Sequence, residues 1–187
     1  PHPAVACARK GASALSSLAS RHTVQLDERG RVSFPAQYRT RIGEELYISP
    51  DSGYRGFLVV RSEEGFNQQI EFLKQEGIKS GDTSEEIEDT VRDFAMMTAQ
   101  VTADKNGRLT LPKELKEYAG LDLGDKAEPK EEKERAIVVG IGDHAEIWAE
   151  KTMIAYEERR RKEKLLKRKK ADADHAAKMK KVDEDEL

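Results

Sequence analysis

The chain writes one nine-residue pattern twice. "DERGRVSFP" runs from Asp27 to Pro35, and "DKNGRLTLP" runs from Asp104 to Pro112. Aligning residues 24–43 with 101–120 at this 77-residue offset gives six identities: Val24/Val101, Asp27/Asp104, Gly30/Gly107, Arg31/Arg108, Pro35/Pro112 and Gly43/Gly120. Repetition at a fixed period means that one structural unit is used twice, so the fold must accommodate two equivalent copies. The shared positions carry physical roles. Val24, Leu26, Val32 and Phe34 share parity across the turn, as do Val101, Ala103, Leu109 and Leu111. Apolar positions at period two on both sides of a turn predict a β-hairpin with one buried face. Asp27 and Asp104 can accept hydrogen bonds from the turn amides, and Gly30 and Gly107 tolerate the exit conformation. The opposite parity carries Arg29, Arg31 and Ser33 in one copy and Asn106, Arg108 and Thr110 in the other, a polar face rich in donors.

Each hairpin runs into a short helix pattern. Pro35 and Pro112 fit the first helical position, where a missing N–H costs nothing. Gly43 and Gly120 fit just past the helix end. Tyr38 and Ile42, or Leu115 and Tyr118, can face the core. Further strands follow: "ELYIS" and "FLVV" around "PDSGYRG", then "AIVVG" and "AEIWA" around "IGDH". Ser62 can cap a helix carrying Phe66, Ile70 and Leu73 on one face, and Thr152 one that begins at Met153. The capping-box pattern Thr83-x-x-Glu86 opens a helix to about Met97, with Ile87, Val91 and Phe94 together. Met96 and Met97 read as helix-packing residues and Trp148 as a core anchor. The organisation expected is a leader over 1–20, a first module over 21–82, a connecting helix over 83–98, a second module over 99–158 and a charged tail over 159–187. The leader reads as a disordered segment or as extra sequence ahead of the working protein.

Charge is abundant and unevenly placed. Charged residues make up 37% of the chain, against about 25% in an ordinary domain. The net charge of −3 conceals the run Arg159–Lys170, which holds nine bases and one acid and leaves −11 for the rest. Local charge decides phosphate contact, so the acid balance does not exclude nucleic acid. The run reads as a phosphate-binding arm or as a solvated helix with Glu158–Lys162 and Glu163–Lys167 pairs, and the solvated helix is the expectation. The terminal "DEDEL" opposes DNA and can fold back on the run. Cys7 is the only cysteine, and His2, His22, His144 and His175 have no ligand spacing, so no metal site is expected. No window approaches the roughly 18 apolar residues that a membrane helix needs. "GIGDH" lacks the Lys-Ser/Thr of a phosphate loop and reads as a hairpin turn. With no nucleophile–base constellation, neither catalysis nor a cofactor nor a small-molecule substrate is expected.

Two DxxGR motifs at this spacing, with "LKEYAGL" and "VVGIGDHAEIW" behind the second, resemble the MraZ family of the AbrB/SpoVT-like DNA-binding superfamily. The resemblance covers about residues 21 to 158. It implies an α+β fold of two tandem AbrB/SpoVT-like β-hairpin modules, a swapped-hairpin, double-psi-like small barrel, with short helices and here a charged C-terminal helix. It implies a bacterial transcriptional regulator, cytoplasmic and nucleoid-associated. Such a regulator binds double-stranded DNA at direct repeats in the promoter of a division and cell-wall gene cluster, as a ring-like homo-oligomer. The stretch Asp122–Arg135 departs from the family as an insertion, which bears on ring contacts.

Arg31 and Arg108 have two readings from the residues alone. They contact DNA, since guanidinium suits phosphate and guanine edges, or they pair internally with Asp27 or Asp104. The resemblance favours DNA, with the aspartates orienting the arginines. Arg29 and Arg39 extend the surface in the first copy, and Lys105, Asn106 and Lys113 in the second. Asp27, Gly30, Pro35, Asp104, Gly107 and Pro112 shape the motifs. The first tip is the more basic and is expected to be the main reader, so two inequivalent DNA-facing edges are anticipated. The rival is an oligomeric scaffold or protein-interaction module of the same fold without DNA binding. A third reading, an antitoxin-type regulator, predicts a single module and is disfavoured by the duplication.

Overall fold

A computed structural model describes residues 18–185 apart from 28, 54 and 122–134, with side chains as far as 172. Residues 1–17 of the expected leader, the insertion over 122–134 and the side chains of "DEDEL" lie outside the described residues. The first copy supplies β1 (Leu18–Gln25), β2 (Val32–Ser33), α1 (Ala36–Ile42), β3 (Glu45–Pro50), β4 (Phe57–Arg61) and α2 (Glu63–Ser80). The connecting helix is α3 (Ser84–Met96). The second copy supplies β5 (Ala99–Thr102), β6 (Arg108–Leu109), α4 (Lys113–Ala119), β7 (Arg135–Gly142), β8 (His144–Ala149) and α5 (Glu150–Asp185).

Six strands form one antiparallel sheet in the order β1-β7-β8-β4-β3-β5, and β2 pairs with β6 alone. Exchanging equivalent strands of the two copies reverses this order onto itself. β1 pairs with β7, β4 with β8 and β3 with β5, so each of these ladders joins strands of different copies. The two copies therefore build one sheet between them.

The predicted hairpin closes only at its tip. Leu26 and Val32 form a single bridge, after which β1 turns to β7 and β2 to β6. The reason lies in burial. A two-residue ladder has little stability of its own. Val32, Phe34, Leu109 and Leu111 instead sink into the main core with Leu46, Ile48, Leu58, Val138 and Ile147. Val32 and Leu109, which face each other across β2 and β6, are fully buried. Each such side chain stabilises the fold by about 1.5–3 kcal/mol, so shared core, not the ladder, fixes the turns.

Side chains alternate along the strands, and the other face of the sheet carries a smaller cluster of Phe57, Val59, Ile137, Trp148 and Met153. Trp148 stacks on Phe57 at 4.0 Å and is 2% exposed, the anchor that the sequence predicts. Farther along this face Tyr47 stacks on Phe66, and Phe66 on Phe94, which folds α3 back onto α2. The capping box of Thr83 and Glu86 is formed. "GIGDH" is a hairpin turn at Asp143 between β7 and β8.

Several boundaries differ from the expectation. Leu18–Ser20, assigned to the leader, belong to β1, because β7 extends to Gly142 and gives them partners. Pro35 and Pro112 are N-caps with extended ψ, one position earlier than predicted, since their carbonyls take the first helical hydrogen bonds. Thr152 caps nothing, because α5 begins at Glu150. Met96 is 78% exposed and Met97 47%, so neither is the packed residue predicted for the end of this helix.

Candidate nucleic-acid interface

The two turns are built alike. In the first, Asp27 Oδ1 accepts from the amides of Arg29 and Arg31 at 2.9 and 3.0 Å. In the second, Asp104 Oδ1 accepts from Asn106 and Arg108 at 2.8 and 2.9 Å. Backbone bonds Asp27–Arg31, Gly30–Asp27, Asp104–Arg108 and Gly107–Asp104 close both loops. Gly30 and Gly107 sit at φ +67° and +76°, which explains the glycine at this position of each motif.

Pairing of β2 with β6 sets these turns side by side. Phe34 N–H donates to the Gly107 carbonyl at 2.8 Å, and Ser33 lies opposite Arg108. The two turn edges thus adjoin and form one. At its centre the aspartates and arginines of both copies interlock. Arg31 Nε donates to Asp27 Oδ2 at 2.7 Å, and its Nη1 donates to Asp104 Oδ2 at 3.3 Å. Arg108 Nε donates to Asp104 Oδ2 at 3.0 Å, and its Nη1 lies 3.6 Å from Asp27 Oδ2. Each carboxylate therefore faces both guanidiniums.

Arg31 and Arg108 each pair with both Asp27 and Asp104. These pairings occupy Nε and Nη1 only. Nη2 of each arginine makes no hydrogen bond among the described residues, and the side chains keep 20% and 30% exposure. The amide hydrogen bonds from Arg31 and Arg108, with the arginine side chains beside them, hold both carboxyls below the usual carboxylate range. The central charge is balanced, two against two, and the guanidiniums are held in fixed directions.

Of the other predicted residues, Arg29, Arg39, Lys105 and Asn106 lie on or against the two turns. Arg29, Lys105 and Asn106 are exposed on the two tips. Arg39 reaches from α1 across the opposite copy's turn. Its guanidinium lies so close to Gly107 that a Cβ there would meet Nη2 at 2.7 Å. Its Nε is buried and makes no hydrogen bond among the described residues. Lys113 stands at the start of α4 and pairs with Glu117 at 3.5 Å.

Lys116 is the residue that the sequence reading left out. It is the counterpart of Arg39 in the repeat, and its ammonium approaches Gly30 as Arg39 approaches Gly107; a Cβ on Gly30 would lie 3.3 Å from Nζ. The Arg39/Lys116 correspondence in the repeat was the available signal. Among the described residues no group of three or more histidine, cysteine or acidic side chains is arranged for a metal, and no helix is long and apolar enough to cross a membrane.

This geometry stands on a chain with clear relatives. It is 33% identical over 127 residues to the Transcriptional regulator MraZ of Arthrobacter sp. (strain FB24), covering 68% of this chain and 78% of that one. The chain belongs to the MraZ family. Residues 94–175, the second copy with much of α5, match the sequence model of the family described as "MraZ protein, putative antitoxin-like". The Transcriptional regulator MraZ of Mycoplasmopsis pulmonis (strain UAB CTIP) is 30% identical over 128 residues, 66% of this chain and 73% of the relative. That of Carboxydothermus hydrogenoformans (strain ATCC BAA-161 / DSM 6008 / Z-2901) is 30% identical over 126 residues, 67% and 76%. Membership of the MraZ family agrees with the mixed α+β fold and its antiparallel sheet.

Proposed function

We propose that this protein is a DNA-binding transcriptional regulator and that the joined turn edge is its reading surface. The observation that carries this is the pair of arginines, Arg31 and Arg108, held by Asp27 and Asp104 with one free Nη2 each. A guanidinium fixed in direction loses less freedom on binding than a lone surface arginine, and its spare donors suit phosphate oxygens or the O6 and N7 of guanine. Arg29, Arg39, Lys105, Asn106 and Lys113 surround it, and Lys116 joins them.

The relatives are transcriptional regulators by name, which supports the same role here. In this reading the target is direct repeats in the promoter of a division and cell-wall gene cluster. Copies assemble into a ring-like oligomer whose many weak sites add through effective concentration. Anisotropy titrations with direct-repeat promoter DNA at several salt concentrations test it. Tight binding that weakens steeply with salt is expected. No binding at low salt would reject it.

A scaffold that keeps the fold without DNA binding is the second reading. The internal pairing of Arg31 and Arg108 favours it, because the centre of the edge is charge-neutral. The same titration separates the two, since a scaffold leaves the DNA unbound.

A further inference from the structure

We propose that Arg159–Lys170 of α5 forms a second surface on this chain, one that grips the phosphate backbone of duplex DNA without reading its sequence. From its sequence this run is expected to be a solvated helix with Glu158–Lys162 and Glu163–Lys167 pairs. Neither pair forms. Glu163 turns instead to Arg159 and Arg160, at 4.0 and 3.5 Å. The other seven cations of the run make no ion pair among the described residues, and every side chain of the run is exposed.

The run is helical throughout, so its geometry can be compared with DNA. Twelve residues rise about 18 Å, which places one cation about every 2 Å along the axis. Duplex DNA carries one phosphate charge per about 1.7 Å. Counted around the whole helix the two densities are similar, and Arg160, Lys164, Lys167 and Arg168 bring four of the nine cations to one face. Within the helix, Arg160, Lys164 and Arg168 follow one another at spacing four, and Lys164, Lys167 and Lys170 at spacing three. Like charges at these spacings repel, and a polyanion relieves that repulsion. Leu165 and Leu166, 57% and 70% exposed, are adjacent and lack the spacing of an apolar stripe, so a protein groove is the poorer fit.

This surface is separate from the turn edge. α5 is seated through Met153 and Tyr156 on the sheet face that holds Trp148 and Phe57. Val32 and Leu109, which carry the turns, belong to the opposite face. The choice of a polyanion rests on α5 alone; the choice of DNA rests on the function proposed above.

The test uses the full chain, an unrelated-sequence duplex and the promoter duplex, with binding followed by anisotropy against potassium chloride. In the triple variant Lys164→Gln, Lys167→Gln, Arg168→Gln, the slope of log affinity against log salt should fall by about 2.7, at about 0.9 per lost contact. Both duplexes should weaken by the same factor. A second variant, Arg161→Gln, Lys162→Gln, Lys170→Gln, removes three cations from the other side of the helix and should lower the slope by less, and circular dichroism checks folding in both. Unchanged slopes in both variants overturn the proposal. So does a changed sedimentation mass at unchanged slope, which would assign the run to an acidic protein surface. Loss of preference for promoter over unrelated DNA is read separately with Arg31→Ala. Its failure would count against the turn edge and leave α5 standing.

Discussion

Asp104 holds Arg31, a residue 73 positions away, at 3.3 Å, while Arg31 also keeps its own turn's Asp27 at 2.7 Å. One arginine thereby ties together two loops that the sequence places far apart. Replacing Arg31 with Ala should weaken promoter binding about tenfold or more, since one well-placed guanidinium carries that much discrimination. Arg31→Lys keeps the charge and loses the fork, so it should fall between Ala and the natural residue. A gel shift with sedimentation on the same samples checks this. Full affinity in Arg31→Ala at unchanged mass would remove Arg31 from the interface.

The pH response of this edge has a definite direction. Asp27 and Asp104 are held below the usual carboxylate range, first by amide hydrogen bonds from Arg31 and Arg108. Their contribution is complete above the unfolded carboxylate pKa of about 3.9 and is lost as pH falls through the lower folded values. Resonances of the Arg31 and Arg108 Nε–H groups should therefore stay constant from about pH 8 to 5 and shift only below about pH 4. The pair Asp27→Asn, Asp104→Asn should abolish that acid transition. A transition near neutral pH would contradict the assignment.

Asp51 stabilises the body rather than the edge. Its buried carboxylate accepts from the amides of Gly53, Arg55 and Gly56, from Arg55 Nε and from the Tyr118 hydroxyl of the other copy. Burial pushes the carboxyl up, but the Arg55 and Tyr118 hydrogen bonds outweigh it and hold the group low. Asp51→Ala leaves several donors without a partner and should cost about 3 kcal/mol. Urea unfolding measures it, and a cost below about 1 kcal/mol would show that water replaces the carboxylate.

Gly140 is a steric requirement of the β1–β7 pair. A Cβ there would lie 2.9 Å from both Leu18 Cβ and Tyr38 Cε1. Gly140→Ala should destabilise by about 1–3 kcal/mol through overpacking. Leu18→Ala leaves that Cβ in place, so it should not rescue Gly140→Ala. Thermal unfolding of the two single variants and the double checks both statements.

Much of this was legible from the repeat. Parity named Val32, Phe34, Leu109 and Leu111 as core, and all four are buried. The turn chemistry of Asp27, Gly30, Asp104 and Gly107 followed from residue type. Strand partnership did not. Nothing local to β2 says that it pairs with β6 instead of β1, because that choice is made by apolar side chains distant in sequence. The same blindness hid Lys116, whose turn belongs to the other copy. The α5 charge pairs failed for another reason: Glu163 can reach back to Arg159 and Arg160 as easily as forward to Lys167.

The palindromic strand order has one more consequence. A two-fold assembly of identical chains changes both of its halves with every mutation, so its faces stay equal. Here both halves are written on one polypeptide, and each can drift alone. Arg29 has Asn106 as its counterpart in the other copy, and Arg39 has Lys116. The symmetry is kept where the halves hold each other, at Asp27, Arg31, Asp104 and Arg108. It is released at the rim. A fused pair of this kind can present an asymmetric face to an asymmetric sequence, which no symmetric dimer can do.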